Sequence, residues 1–460
     1  MANGDTSFFG DLLGTIAERG RALLEGRERR PAGAIRAANI VELCEQLLSG
    51  RGEASGVALA REILILYRAL KTGERVAFFE ALAETFGPDK ARLDEAIAAY
   101  AGKSSDRTLS ELHAASEPRR QELIRRLNLA PNATATLVDM RASLLDVLTR
   151  RPDLATIDRD FTHLFTSWFN RGFLVLRRID WSTPANVLEK IIRYEAVHEI
   201  RDWNDLRARV DSPDRRCYAF FHPALVDEPL IFVEVALTRD VPDAIAPILV
   251  ERREPLDPAS AKVAVFYSIS NCQKGLGGVT FGNFLIKQVV EEISREFPNL
   301  TTFVTLSPVP GFRGWLDGER RDEASIVLTK ADRTALEALD EPSLAEDEAR
   351  KKLLKPVLGA LAAHYFLIAR SPKGKPLDPV ARFHLGNGAR LERINLFGDM
   401  SAKGLRQAAG LMVNYRYIPE DIEENHEAFF DKAEVVASPA VKKLLRADTK
   451  QKALTVAAPN

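Results

Sequence analysis

Residues 263–290 read Val-Ala-Val-Phe-Tyr-Ser-Ile-Ser, then Asn-Cys-Gln-Lys-Gly-Leu-Gly-Gly-Val-Thr-Phe-Gly, then Asn-Phe-Leu-Ile-Lys-Gln-Val-Val. The first eight are rich in β-branched and aromatic types, which predicts a strand. The last eight carry apolar residues at helical spacing, and glycines fill the joint. In such a strand–loop–helix order, Gly275, Gly277, Gly278 and Gly282 let backbone amides turn inward with no Cβ in the way, where the helix begins with unpaired N–H groups. That arrangement suits an anion, most often a phosphate. It is not a Walker loop, since no Gly-Lys-Ser/Thr follows, nor a Rossmann turn, since no G-x-G-x-x-G opens the helix. The alternative is a glycine-rich turn that only connects two elements.

Outward from this stretch the texture is mixed. Phe173 to Leu176, Cys217 to Phe221, Leu230 to Leu237 and Thr302 to Leu306 are further β-rich runs bounded by turn signals. Helices are expected between them, over Ala185 to Tyr194 and Asn283 to Phe297, so residues 171–460 read as a mixed α/β domain. Residues 1–170 read differently. Val57 to Leu70, Val76 to Phe86 and Leu137 to Leu148 place apolar residues three and four apart, and Ser116-Glu117-Pro118 precedes another such run. Short loops between them predict an antiparallel helical bundle, for packing or oligomerisation. A charged, helix-prone insertion near 317–352 reads as solvated surface helices and linker.

Composition narrows the function. The chain has 460 residues, 46% hydrophobic and 28% charged, with a net charge of -1. That balance offers no global attraction to nucleic acid or an anionic membrane, so any anion site must be local. Cys44, Cys217 and Cys272 lie far apart, which argues against structural zinc and a disulfide framework. The apolar stretch Pro356 to Ala369 is too short to span a bilayer and reads as a buried helix. Met1 to Arg30 mixes arginines with Asp5, Asp11, Glu18, Glu25 and Glu28, and the final Ala-Pro-Asn is no peroxisomal address, so a cytoplasmic location is expected.

Two residues stand where chemistry could sit. Ser307 lies in Leu306-Ser-Pro-Val-Pro-Gly-Phe312, where two prolines forbid continuation of the strand; the plain alternative is a capping or turn serine. His384 precedes the turn signal Asn387-Gly388, with His222 its nearest rival and His364 expected in a core. No histidine pair has metal-ligand spacing, and no G-x-S-x-G elbow makes Ser307 a hydrolase nucleophile.

Taken together, Gln273 to Phe284, Leu306 to Phe312, Phe383-His-Leu-Gly-Asn-Gly388 and Gly410-Leu-Met-Val-Asn-Tyr-Arg-Tyr417 resemble the malonyl-CoA decarboxylase family, over about Phe165 to Tyr417. The resemblance implies an N-terminal helical domain followed by a GNAT-like mixed α/β catalytic domain. It also implies malonyl-CoA as substrate, acetyl-CoA and CO2 as products, and no metal, biotin or PLP. A homo-oligomer formed through the helical domain is expected. Carried over by position, Gly277, Gly278, Val279, Thr280, Phe281, Gly282 and Asn283 would form the CoA loop. Ser307 and His384 would be catalytic, with Tyr417 a supporting pocket residue. Animal relatives carry a glutamate where this sequence has Thr280, which removes any role for that carboxylate.

Decarboxylation beside a thioester leaves an enolate, so the substrate is its own electron sink. His384 is expected to donate the proton because an imidazole titrates near neutral pH. Ser307 would orient the malonyl group or His384, or accept a proton. Backbone amides from Ser268 to Cys272 are candidates for polarising the thioester. The rival readings are a GNAT-type acyl-CoA transferase and a non-catalytic acyl-CoA sensor or scaffold.

Overall fold

The computed structural model describes residues 35–50, 52–279 and 285–446, and the chain divides into two compact units. The described part of the first unit runs to Leu174 and adds His222–Val226 and residues 273–279; the second holds Val175–Phe221, Asp227–Cys272 and residues 285–446.

Among the described residues the first unit carries α1 (Ile35–Leu48), α2 (Glu53–Arg68), α3 (Thr72–Glu84), α4 (Lys90–Gly102), α5 (Asp106–Ser116), α6 (Arg119–Leu127), α7 (Ala133–Leu148) and α8 (Ala155–Trp168). Local chemistry sets the helix starts. Asp89 and Ser105 accept from the Arg92 and Thr108 amides to cap α4 and α5. Pro118 is itself the N-cap of α6, whereas Ser116, expected to cap that helix, ends α5 and its hydroxyl donates to His113 O at 2.8 Å. The core is aromatic, with Tyr67 and Phe78 rings 5.5 Å apart and Phe165 and Phe169 5.6 Å apart. It is not wholly apolar: Arg120 and Asp160 form a buried ion pair, and Gln121 Nε2 donates to the other Asp160 oxygen at 2.6 Å. Such a pair stands only because its remaining lone pairs are matched.

The second unit is built from β1 (Val175–Ile179), α9 (Ala185–Tyr194), α10 (Trp203–Val210), β2 (Arg215–Phe221), β3 (Pro229–Thr238), α11 (Ala246–Leu249), β4 (Val263–Asn271) and α12 (Leu285–Glu296). It continues with β5 (Thr302–Thr305), β6 (Ser307–Pro308), α13 (Phe312–Arg321), α14 (Lys330–Leu336), α15 (Glu348–Leu367) and α16 (Pro379–Gly386). It ends with β7 (Arg390–Asn395), α17 (Ala402–Ala408), β8 (Met412–Tyr417), α18 (Ile422–Lys432) and α19 (Pro439–Leu444). The strands form one sheet in the order β1-β2-β3-β4-β5-β8-β6, with β7 on β8. β2 is buried from end to end, as a strand covered on both faces must be. On one face Cys217, Ala219 and Phe232 pack with Val187, Leu188 and Ile191 of α9 and Leu206 of α10.

The joint between β4 and β5 positions the site. Among the described strands the other ladders are antiparallel; β4 and β5 run parallel, from Val263 opposite Thr302 to Phe266 opposite Thr305. There they part. β4 keeps β3 as partner through Asn271, while Ser307 and Pro308 pair with Val413 and Met412 of β8. The sequence expectation that the prolines end the strand is corrected: the chain pairs for two residues more, because β6 closes the sheet path and Pro308 needs no inner partner there. A bulge between Glu234 and Val235 of β3 faces Ser268 and Phe266, adding Tyr267 to β4 at the point of parting. Cys272 N–H donates to Leu230 O at 2.9 Å. By antiparallel alternation Ser268 and Ser270 direct their amides the same way, so from that set only Ile269 and Asn271 present amides to the parting edge.

β7 and β8 were not expected as strands, since Arg390, Glu392, Arg393 and Arg416 break their apolar pattern. The charged stretch 317–352 carries ion pairs among Arg313, Asp317, Arg320 and Asp340, yet Leu336, Leu339 and Leu344 are buried. It is therefore anchored by apolar contacts and is not a freely solvated linker. No helix of the described residues is long and apolar enough to cross a membrane.

Candidate active site

Three separated segments of the second unit bring their side chains to one buried spot. Ser307 comes from β6, His384 from the last turn of α16, and Tyr417 from the end of β8. Ser307 Oγ lies 3.1 Å from His384 Nε2, and His384 Nδ1 lies 2.8 Å from the Tyr417 hydroxyl. Two residues that sequence reasoning missed complete the group. Ser307 Oγ donates to Thr305 Oγ1 at 2.9 Å, and Thr305 Oγ1 also accepts the Tyr415 amide at 3.1 Å. Tyr415 stacks on the imidazole, ring centres 4.6 Å apart at 24°. A period of two would have found both, since Thr305 and Tyr415 each stand two residues before a named residue on the same strand face.

The direction of these bonds fixes a tautomer. Ser307 gives its one proton to Thr305, so it meets Nε2 with a lone pair, and Nε2 carries the imidazole proton. Nδ1 then accepts from Tyr417, which stays protonated because burial pushes its phenol well above the usual range. His384 is only 3% exposed, and burial lowers its pKa to about 3. The expectation that it titrates near neutral pH is corrected on this point: with no charge beside it, the imidazolium loses its hydration and the ring rests neutral.

The backbone holds this placement. Asp378 caps α16 by accepting the Ala381 amide at 2.9 Å, and burial pushes its carboxyl up to about 6. After α16 the chain must turn through Gly388 at φ +81, where a Cβ would sit 2.1 Å from Ile422 O, so only glycine fits.

The rival histidines are structural. His222 Nδ1 accepts the Ala224 amide and Nε2 donates to Trp168 O at 3.0 Å, both in the first unit. His364, expected in a core, is half-buried and stacks against Trp315. Ser268 and Ser270 hydroxyls both donate to the buried Glu195, at 2.7 and 3.2 Å. Beside them Glu234 is fully buried, and burial with Glu195 nearby raises its pKa to about 8. All three cysteines are buried free thiols whose pKa burial pushes upward, which leaves them poor nucleophiles.

Comparison with known proteins places the chain as a whole. The malonyl-CoA decarboxylase C-terminal domain family matches residues 172–455, and the malonyl-CoA decarboxylase N-terminal domain family matches residues 86–169. The chain belongs to the malonyl-CoA decarboxylase family. Among relatives, the "Malonyl-CoA decarboxylase, mitochondrial" of Anser anser anser is 36% identical over 413 residues, covering 83% of this chain and 82% of that protein. The protein of the same name in Rattus norvegicus is 34% identical over 445 residues, covering 92% and 87%. The crystal structure of malonyl-CoA decarboxylase from Rhodopseudomonas palustris superposes with TM-score 0.86 at 60% identity, covering 90% of this chain and all of that one. The Agrobacterium vitis structure gives TM-score 0.86 at 57% identity, covering 89% of this chain and all of its own.

Of the loop expected from the sequence to hold CoA, Gly277, Gly278 and Val279 are in the first unit, with Gly278 in the left-handed region at φ +76. Thr280, Phe281, Gly282 and Asn283 lie outside the described residues.

Proposed function

We propose that this chain converts malonyl-CoA to acetyl-CoA and CO2 through a thioester enolate, with His384 as proton donor and Ser307 as the group that orients it. The observation that carries the reading is the buried chain Tyr417–His384–Ser307–Thr305, which leaves Nε2 protonated and a serine oxygen against it.

In the reaction the bond between the α-carbon and the carboxylate breaks. Its electron pair moves into the thioester carbonyl, giving CO2 and an enolate. The α-carbon then takes a proton and becomes the methyl group of acetyl-CoA. One proton is consumed overall. A neutral buried imidazole cannot hold it beforehand, but the substrate carboxylate brings a negative charge beside the ring and favours imidazolium, so the proton enters with the substrate. When CO2 leaves, the charge passes to the enolate, and the imidazolium returns its proton there. The entering proton sits on Nδ1, where the Tyr417 hydroxyl turns from donor to acceptor; Tyr417 stays protonated and does not relay, since its raised pKa opposes phenolate. Amides of Ile269 and Asn271 at the parted edge of β4 suit polarisation of the thioester oxygen, each good donor being worth roughly a hundred- to thousandfold.

In this reading the loop Gly277, Gly278 and Val279, with Thr280, Phe281, Gly282 and Asn283 by the family pattern, takes the CoA phosphates; of the first three, Gly278 supplies the amide, since the Gly277 and Val279 N–H groups donate to Lys274 O and Leu276 O at 3.0 Å. The electron sink is the thioester itself, so the reaction calls for no metal, biotin or PLP. Self-association through the helical unit belongs to the same reading, with Ile65, Ile97 and Leu129 as exposed apolar candidates; sedimentation of wild type and an Ile65→Glu, Leu129→Glu double variant tests it.

The functional test mixes purified protein with malonyl-CoA and no added metal or cofactor, and follows acetyl-CoA and CO2. Stoichiometric release by wild type, lost by about a hundredfold or more in Ser307→Ala and His384→Asn variants that still bind CoA, is the expected result. Intact malonyl-CoA bound by wild type would refute the reading and leave a sensor.

A further inference from the structure

Arg141 belongs to no motif, yet it is 2% exposed and nearly all its donors are matched. From α7 its Nη1 reaches Gly275 O at 2.8 Å and Gly277 O at 2.9 Å. Nε donates to Asp158 Oδ1 at 2.8 Å and Nη2 to Thr162 Oγ1 at 3.0 Å, both on α8. All these residues lie in the first unit. Burying a guanidinium costs several kcal/mol unless it is fully hydrogen-bonded, so a charge set beneath two loop carbonyls is there for the loop.

The clamp orients amides as well as carbonyls. A trans peptide points its C=O and N–H in opposite directions, so turning the Gly277 carbonyl onto Arg141 turns the Gly278 N–H away from it. The matching Leu276 N–H is already committed to Gln273 O at 2.9 Å, and the Gly277 and Val279 amides donate to Lys274 O and Leu276 O, both at 3.0 Å, which singles out the Gly278 N–H. Gly278 accepts the required left-handed conformation at φ +76 without strain. Gly275 fixes the height of the loop: a Cβ there would lie 1.9 Å from Val138 O and 2.9 Å from Val138 Cγ1.

We propose that Arg141 is a positioning residue for the nucleotide end of the CoA thioester, holding the glycine loop's carbonyls back so that the Gly278 amide meets a phosphate. The helical unit thereby takes part in substrate recognition, in addition to packing. The inference rests on the reading that this loop takes the CoA phosphates.

The test compares malonyl-CoA with malonyl-pantetheine, which carries the same thioester without the nucleotide phosphates, on wild type, Arg141→Met and Arg141→Lys. Arg141→Met is expected to raise KM for malonyl-CoA about ten- to a hundredfold, with kcat within about twofold, and to leave kcat/KM for malonyl-pantetheine unchanged. Arg141→Lys, a point charge that cannot fork to both carbonyls, gives a smaller rise of the same kind. If Arg141→Met does not fold, the lysine variant decides on the same criterion. Equal kcat/KM of wild type on the two thioesters overturns the phosphate-loop reading itself. Wild-type discrimination that survives in the variants, or variant losses equal on both thioesters, overturns the role of Arg141 alone.

Discussion

Replacing Tyr417 by phenylalanine removes a single oxygen, and the site should lose most of its rate while keeping its fold. The hydroxyl is 2.8 Å from His384 Nδ1, and both residues are buried, so no water stands ready to replace it. A buried acceptor stripped of its partner costs about 1–3 kcal/mol. At about 1.4 kcal/mol per factor of ten, that is roughly 5- to 150-fold if the whole loss falls on the transition state. It should fall there, because Nδ1 without a donor is free to take the imidazole proton, which removes it from Nε2 where Ser307 lies. The assay is steady-state decarboxylation with CoA binding measured alongside, for Tyr417→Phe, Ser307→Ala and the double variant. We expect kcat to fall by the stated factor with CoA affinity unchanged, and the double variant to be scarcely worse than Ser307→Ala, since the residues act as one unit. A Tyr417→Phe enzyme within twofold of wild type, or losses that multiply in the double variant, would refute the reasoning.

Other consequences can be checked independently. In the free enzyme the His384 ring carbons should show no titration by NMR between pH 5.5 and 8, because its lowered pKa of about 3 keeps it neutral there. Calorimetry in buffers of different ionisation enthalpy should then record uptake of about one proton on binding sulfoacetyl-CoA, an anionic analogue that cannot lose CO2; no uptake contradicts the imidazolium step. Glu234, raised to about 8 in the fold, binds its proton more tightly than in the unfolded chain. Its contribution is therefore complete below the ordinary carboxyl range and is lost as pH rises toward 8. Glu234→Gln should flatten the fall in melting temperature between pH 5 and 8, and an unchanged slope would assign that fall elsewhere. Gly275→Ala drives a methyl into Val138 O, so a loss of about 1–3 kcal/mol, seen as a drop of several degrees in melting temperature, is expected; wild-type stability would contradict the packing.

The parts of the fold that were legible in the sequence are those where one segment speaks for itself. The strand at Val263–Asn271 and the helix at Leu285–Glu296 follow from period and composition, and so do four other strands and the helices of the first unit. β7 and β8 were missed because half their residues are charged or polar, and what makes them strands is pairing with each other across a turn and a helix. Ser307, His384 and Tyr417 were named through a family pattern, and they do meet. Thr305 could have been added from strand alternation alone. Arg141 could not: its partners are 134 and 136 residues away, and an arginine on an otherwise ordinary helix carries no local signal.

That separation bears on how the chain is made. The first unit is discontinuous, and the carbonyls that Arg141 needs are translated after the whole of β1 to β4. At typical synthesis rates of about 5–20 residues per second, the guanidinium waits roughly 7–27 s on the ribosome with Asp158 and Thr162 as its partners. The boundary near residue 170, where the two family matches meet, is thus a seam in sequence but not in assembly. A nascent helical half released there would carry a buried cation with two donor directions unmet, and its last folding step belongs to the strand-rich half that follows it out of the exit tunnel.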